Sequence, residues 1–210
     1  GPPSIFGAEA IWYTCSMTSI VAIDIETTGL DQTTGHRIIE IAISVYELET
    51  QRKLGEYATR INPLRPIDPA AQEVHGISLE ELLDKPTWET VAPKVAKLLS
   101  HCHYVVAHNG EGFDLPFIFG ELIRAEVALP TVGSLDTMLQ GRWATPDGSL
   151  PSLQALCFAS GVPYDTNKAH GAIYDVDVMM QCLFKHFGSF FALPTAPYQY
   201  TVPKPRKDKK

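Results

Sequence analysis

Ile20-Val21-Ala22-Ile23-Asp24-Ile25-Glu26-Thr27-Thr28-Gly29-Leu30 is the stretch whose reading decides the fold. The unbroken apolar run over 20–23 predicts a strand buried on both faces of a sheet. Asp24 and Glu26 arrive at its end, one residue apart, and the two-residue period of a strand puts both carboxylates on one face. Two like charges that close on a buried strand are costly unless a cation lies between them. Hard oxygen ligands suit Mg²⁺ or Mn²⁺. On its own an Asp-x-Glu pair more often marks a strand running out into solvent with both carboxylates wet. Thr27-Thr28-Gly29-Leu30 shifts that balance, because it supplies a tight turn in which Gly29 is free to take positive φ and let the backbone approach a ligand.

Outward from this strand, alternation and β-branching predict a second strand over 37–49 and a third over 54–61, ended by Asn62-Pro63. Short turns between the three imply an antiparallel meander. Residues 63–69 read as a rigid proline-rich loop, and Ser78 with Glu81 as a capping box. Helical spacing follows over 87–100, a buried strand over 103–108, a helix over 113–125 and a short segment with Asp136 over 134–139. A helix over 152–160 stops at Gly161, and the last runs over 170–187. Strands first and helix-strand-helix afterwards give an α/β fold, a mixed central sheet with helices on both faces.

Composition suits one such domain over residues 17–190. Gly1-Pro2 looks like the scar of a removed tag and 1–16 like an appendage, with Met17 a natural start. No run approaches membrane-spanning length and no secretory signal is visible, so the expectation is an intracellular protein with no membrane partner. The four dispersed cysteines then read as reduced thiols. A formal net charge of −7 argues weakly against nucleic acid, since metal ions invert the sign of an acidic site. The tail over 191–210 is proline-rich and then basic. It reads as a flexible, solvated terminus or an arm for phosphates or a polymerase or other protein partner.

Collected by position, the remaining carboxylates complete a chemistry. Asp114 follows the 103–108 strand at a helix start, and His170 and Asp175 open the last helix. Five residues apart, those two do not share a helix face, so His170 is placed on the loop or first turn, reaching over the site. Four carboxylates and an imidazole are the parts of two-metal phosphodiester hydrolysis, in which two divalent ions about 4 Å apart hold the attacking water and leaving oxygen. A histidine titrating near neutrality takes the water's proton. His36 and His108 read as structural or surface residues, Asp177 as solvated, and Phe113, Phe117 and Phe119 as core. The loop over 143–150 is a candidate strand contact.

At these residues the chain resembles the DEDDh (DnaQ-like) superfamily of 3′→5′ exonucleases. Asp24 and Glu26 match its first motif, Asp114 its second, His170 and Asp175 its third. Residues 65–77 and Asp136-Thr137 are similar to the proofreading epsilon subunits of bacterial replicative polymerases. Ala107-His108-Asn109-Gly110 through Phe113-Asp114-Leu115-Pro116 instead resembles the animal three-prime repair exonucleases. Epsilon subunits place the second Asp four residues after the Asn, whereas Asp114 lies five after Asn109.

The resemblance implies a ribonuclease H-like fold and a metal-dependent 3′→5′ exonuclease. Asp24, Glu26 and Asp175 would bind the first Mg²⁺ or Mn²⁺, Asp24 and Asp114 would serve the second, and His170 would be the general base. Thr27, Thr28, Gly29 and Leu30 would line the pocket for the terminal nucleotide, with His75 and Asn109 close to the 3′ end. The implied substrate is the 3′ end of DNA, single-stranded or frayed, in preference to RNA. An exoribonuclease with the same site, or a non-catalytic module that binds nucleic acid or a polymerase, are the alternatives.

Overall fold

The structure, a computed structural model, describes residues 17–207 of the 210, so the N-terminal appendage lies outside the described residues. Five strands form one mixed sheet: β1 Ser19–Thr27, β2 Ile38–Glu47, β3 Arg52–Arg60, β4 Tyr104–Ala107 and β5 Gly133–Asp136, in the order β3-β2-β1-β4-β5. β1, β2 and β3 are the antiparallel meander, and β4 and β5 add on parallel to β1. The expected mixed sheet with helices on both faces is what is found.

Alternation along β1 sorts the core. Val21, Ile23 and Ile25 face one layer, built with Val91 and Val95 of helix α2 (Trp88–His101) and with Phe117 and Ile118 of α3 (Leu115–Arg124). Ile20 and Ala22 face the other layer, filled by Leu156 of α4 (Leu153–Ser160) and by Val176, Met179, Met180 and Leu183 of α5 (Ala172–His186). The spacing of those α5 residues is an apolar helical stripe. Asp24 and Glu26 continue the even-numbered series and so leave β1 on the α5 side. Where the apolar series stops, the carboxylates begin.

Three local features differ from the sequence reading. Residues Pro69–His75 form a short helix, α1, directly after the expected 63–69 loop, where the sequence reading places no element; Pro69 starts it and Gly76, at φ 70°, ends it. The second is Pro93, which the helix read over 87–100 carries in its interior, where a proline ordinarily breaks a helix. Third, the C-terminal tail, expected as a flexible arm, lies along the domain. The Tyr198 amide donates to the Val132 carbonyl at 2.8 Å, and the rings of Tyr198 and Tyr200 pack on Phe119 at centroid distances of 5.2 and 5.9 Å. Cys102, Cys157 and Cys182 are buried free thiols. No helix among the described residues is long and apolar enough to cross a membrane.

Candidate active site

β1 ends in a bulge between Glu26 and Thr27, where the register with β2 shifts from Glu26 opposite Glu40 to Thr27 opposite Ile38. Bulges re-aim side chains at strand ends, and here the strand turns into the Thr27–Leu30 corner. Buried Thr28 does not face the corner's cavity. Its hydroxyl bonds His36 Nδ1 at 2.9 Å and accepts from the Arg37 amide at 3.0 Å. His36 is therefore structural, its Nε2 reaching Asp68 at 3.3 Å. Gly29 does not take the positive φ expected of it. It is needed for space, because a Cβ there would overlap the His36 ring.

Asp114 reaches the site through an unusual turn. Between β4 and α3, Gly110–Asp114 is a π-helical turn, closed by the Leu115 amide donating to the Gly110 carbonyl. A π turn absorbs one residue more than an α turn, which accounts for the five-residue spacing from Asn109. Asn109 starts the turn in the left-handed region, at φ 62°. Its side chain packs over Gly112, where a Cβ would collide with Oδ1, so Asn109 supports the turn rather than lining the cavity. Asp136, at the end of β5, anchors all of this. Its carboxylate accepts from the amides of Asn109 (3.0 Å), Glu111 (3.1 Å), Met138 (2.9 Å) and Leu139 (3.2 Å).

α5 supplies the last carboxylate. Gly171 precedes it without a side-chain cap, so Asp175 in the first turn meets the positive end of the helix dipole. His170 stands just before the helix, exposed, at φ 64°. Its position just outside the helix is the one the sequence implies. Left-handed backbone at a non-glycine residue costs of order 1 kcal/mol and persists where surroundings over-determine it.

The electrostatics of the cluster are those of crowded, desolvated anions. Burial, then Asp114, Glu26, Asp175 and Glu40, raise the Asp24 carboxyl well above the ordinary range. Burial and Glu40 push Glu26 up to about 8. Asp114, only 4% exposed, is pushed up to about 8 by burial, although the Ile25 amide donates to it. Asp175 rises to about 6 through burial, with the His170 imidazole and amide pulling the other way. Asp24 Oδ2 and Asp175 Oδ1 are buried without a hydrogen-bond partner. Buried carboxylate oxygens ordinarily find donors, so these two are vacant acceptors in a negatively charged pocket, which suits a hard cation. Among the described residues no three Asp, Glu, His or Cys side chains converge as a ready-made cage, as expected of like charges with nothing between them.

Beside the cluster lies a cavity of about 560 Å³ lined by Glu26, Thr27, Gly29, Leu30, His75 and Phe113, among others. Leu30 is 62% exposed there. Phe113, expected in the core, is shared between this wall and a ring contact with Phe117 at 5.4 Å, whereas Phe117 and Phe119 are buried as expected. His75 Nδ1 accepts from the Ile77 amide at 3.0 Å, which leaves Nε2–H to donate to the Thr27 carbonyl at 3.2 Å. Burial lowers its pKa, so it is held neutral.

Some contributors are not singled out by the sequence. Glu40 of β2 lies opposite Glu26 and pairs with Arg60 at 3.0 Å. The Tyr164 hydroxyl, raised to about 12 by burial and then by Asp175, faces the same charge. Trp143, in the loop expected to contact a strand, stacks on Phe190 at 4.4 Å and is taken up there. His108 is structural, bonded to Thr137 and to the Pro151 carbonyl. Asp177, expected to be solvated, is bound by Lys53 at 2.9 Å and the Tyr46 hydroxyl at 3.2 Å.

A mixed sheet of this order, with buried carboxylates brought to the end of β1 from β1 itself, a π turn and α5, is a ribonuclease H-like fold. The profile of the RNase_T family, described as exonuclease, matches residues 21–183, and the chain belongs to that family of DnaQ-like 3′→5′ exonucleases. It is 36% identical over 167 residues to the DNA polymerase III subunit epsilon of Rickettsia felis, covering 77% of this chain and 70% of that one. Among solved structures, exonuclease X in complex with 5′-overhanging duplex DNA matches at TM-score 0.58 and 27% identity, over 79% of this chain and 89% of that one. Exonuclease I matches in fold at TM-score 0.68 and 18% identity, over 80% of this chain. The match spans 40% of the exonuclease I chain.

Proposed function

We propose that this exonuclease removes nucleotides one at a time from single-stranded or frayed 3′ ends of DNA, using two Mg²⁺ or Mn²⁺ ions held by Asp24, Glu26, Asp114 and Asp175. The observation that carries the proposal is the pair of buried acceptors without a hydrogen-bond partner, Asp24 Oδ2 and Asp175 Oδ1, among four carboxylates that burial and mutual repulsion raise above the ordinary range. When bound, the ions supply an acidified water and charge compensation at the phosphate.

The chain's own residues do the rest. His170, outside the helix and beside Asp175, accepts the water's proton on its imidazole. Leu30 and Phe113 give the terminal base apolar walls, and Gly29 leaves room at the corner. His75 is a positioning residue, since its Nε2–H holds the Thr27 carbonyl and with it the end of β1. DNA is favoured because the epsilon relative is a subunit of a DNA polymerase and the exonuclease X structure contains DNA. Because the tail is committed to its own domain as far as residue 206, a polymerase-docking arm is not part of this reading.

The test is single-turnover hydrolysis of a 5′-labelled oligonucleotide by wild type, Asp24→Asn and His170→Ala. Loss of activity in EDTA with recovery on Mg²⁺ or Mn²⁺, and rates lower by about 10³-fold or more in either variant, support the proposal. Wild-type rates in EDTA or in Asp24→Asn refute it.

A further inference from the structure

Within the proposed nuclease reading, on which this inference rests, the C-terminal arm has a place of its own at the substrate cavity. It leaves the domain at Pro194, which lies against Gly133 and Tyr104 at the β5 edge, and is pinned again through Tyr198 and Tyr200. From there it crosses to the loop after β1, where the Arg206 amide donates to Asp31 Oδ2 at 3.0 Å. Asp31 is a firm anchor, because its other oxygen already accepts from the amide and hydroxyl of Thr33. Arg206 thereby joins the lining of the 560 Å³ cavity, opposite residues 93 chain positions or more away from it.

Charge makes that placement meaningful. The other ionisable groups of the lining are Glu26, Asp31 and Asp68, with His36 and His75, whose pKa values burial lowers. Arg206 is thus the permanent cation among the described residues of this wall. Residues 204–210 hold five of the 17 basic and one of the 24 acidic residues, so the other 203 carry 12 and 23, a net −11. A polyanion entering an acidic domain needs compensation at phosphates beyond those the metal ions would meet. A guanidinium suits this, because its planar fork matches the oxygens of a phosphate.

We propose that Arg206 is a substrate-positioning residue, delivered by the C-terminal arm, that contacts a backbone phosphate of the strand whose 3′ nucleotide fills the cavity.

The experiment measures KM, kcat and the salt dependence of kcat/KM on a 5′-labelled oligothymidylate for wild type, Arg206→Ala, Arg206→Lys and Lys204→Ala. A lost charge-assisted contact predicts a KM rise of about five- to twentyfold in Arg206→Ala, with kcat within about threefold. Arg206→Lys recovers part of it, and the slope of log(kcat/KM) against log salt becomes shallower by about 0.7 in Arg206→Ala. Lys204, exposed and away from the cavity, keeps the wild-type KM. Wild-type KM and salt slope in Arg206→Ala overturn the assignment. So does a kcat/KM above wild type, which would make the arm an occluding strap. The wild-type ladder is read first: its absence sinks the nuclease reading, whereas a wild-type ladder with an unchanged KM in the variant sinks only the Arg206 assignment.

Discussion

Removing divalent metal should make the stability of this protein fall as pH rises, and restoring metal should cancel the fall. In the folded chain Asp175 titrates at about 6, and Glu26 and Asp114 at about 8. Each lies above the unfolded value of about 4. A group whose folded pKa is raised contributes stability that is complete below its unfolded pKa and lost as pH climbs through the folded one. The contribution of these groups to the metal-free protein is therefore complete below about pH 4 and is lost as pH rises toward about 9. At 1.36 kcal/mol per unit, moving Glu26 from 4.5 to about 8 sets a ceiling of about 5 kcal/mol from that residue. Because Glu26 and Asp114 act on each other, their contributions do not add, and relaxation lowers both. A net loss of about 3–5 kcal/mol, or about 6–20 °C in Tm, is expected between pH 5.5 and 9. The assay is thermal unfolding across that range in EDTA and in 10 mM Mg²⁺. The difference between the two curves isolates the cluster from every other titrating group. A difference that stays constant with pH, or shrinks toward pH 9, would refute the reasoning.

Substitutions at four positions have defined outcomes. Burial and the neighbouring carboxylates disfavour the charged form of Asp24 without metal, so Asp24→Asn should change metal-free stability by no more than about 1 kcal/mol. The same variant should lose most of the Tm gain that Mg²⁺ gives wild type, and calorimetric titration reads this directly. Asp136→Ala removes four amide contacts at once and should cost about 3–5 kcal/mol in urea unfolding, with Asp136→Asn costing less. Gly29→Ala would drive a methyl into the His36 ring and should cost about 1–3 kcal/mol by the same method. Leu30→Ala, at an exposed position, should leave stability within about 0.5 kcal/mol while raising KM for DNA.

What the sequence made legible is what a period can carry. The two-residue alternation of β1 places Asp24 and Glu26 on the α5 side, and the helical stripe of α5 delivers Asp175 to meet them. Helix α1 escaped because none of its seven residues is buried, so it has no apolar period to read; Pro69 and Gly76 were its only signals. Thr28 looked like a pocket residue because the Thr-Thr-Gly-Leu corner gives no hint that His36, eight positions on, folds back to occupy its hydroxyl. The departure from epsilon-type spacing at Asp114 was visible as a count, but its absorption in a π turn, braced by Asp136 from another strand, is a tertiary fact. The tail's proline and lysine content suggested a solvated arm, and it hid the two tyrosines, one turn of extended chain apart, that hold it down. Asp177 read as solvated, yet Lys53 on the edge strand β3 supplies a partner that no local pattern could show.

The central claim is that the buried carboxylates at the end of β1 are a two-metal centre acting on DNA 3′ ends. Its most direct test is digestion of matched 5′-labelled DNA and RNA oligonucleotides, single- and double-stranded, in EDTA, Mg²⁺ and Mn²⁺. A metal-dependent ladder that shortens one nucleotide at a time from the 3′ end, faster on single-stranded DNA than on RNA and absent in Asp24→Asn, is the predicted result. Equal or faster cleavage of RNA would contradict the substrate assignment, and a ladder that survives EDTA or Asp24→Asn would contradict the metal centre itself.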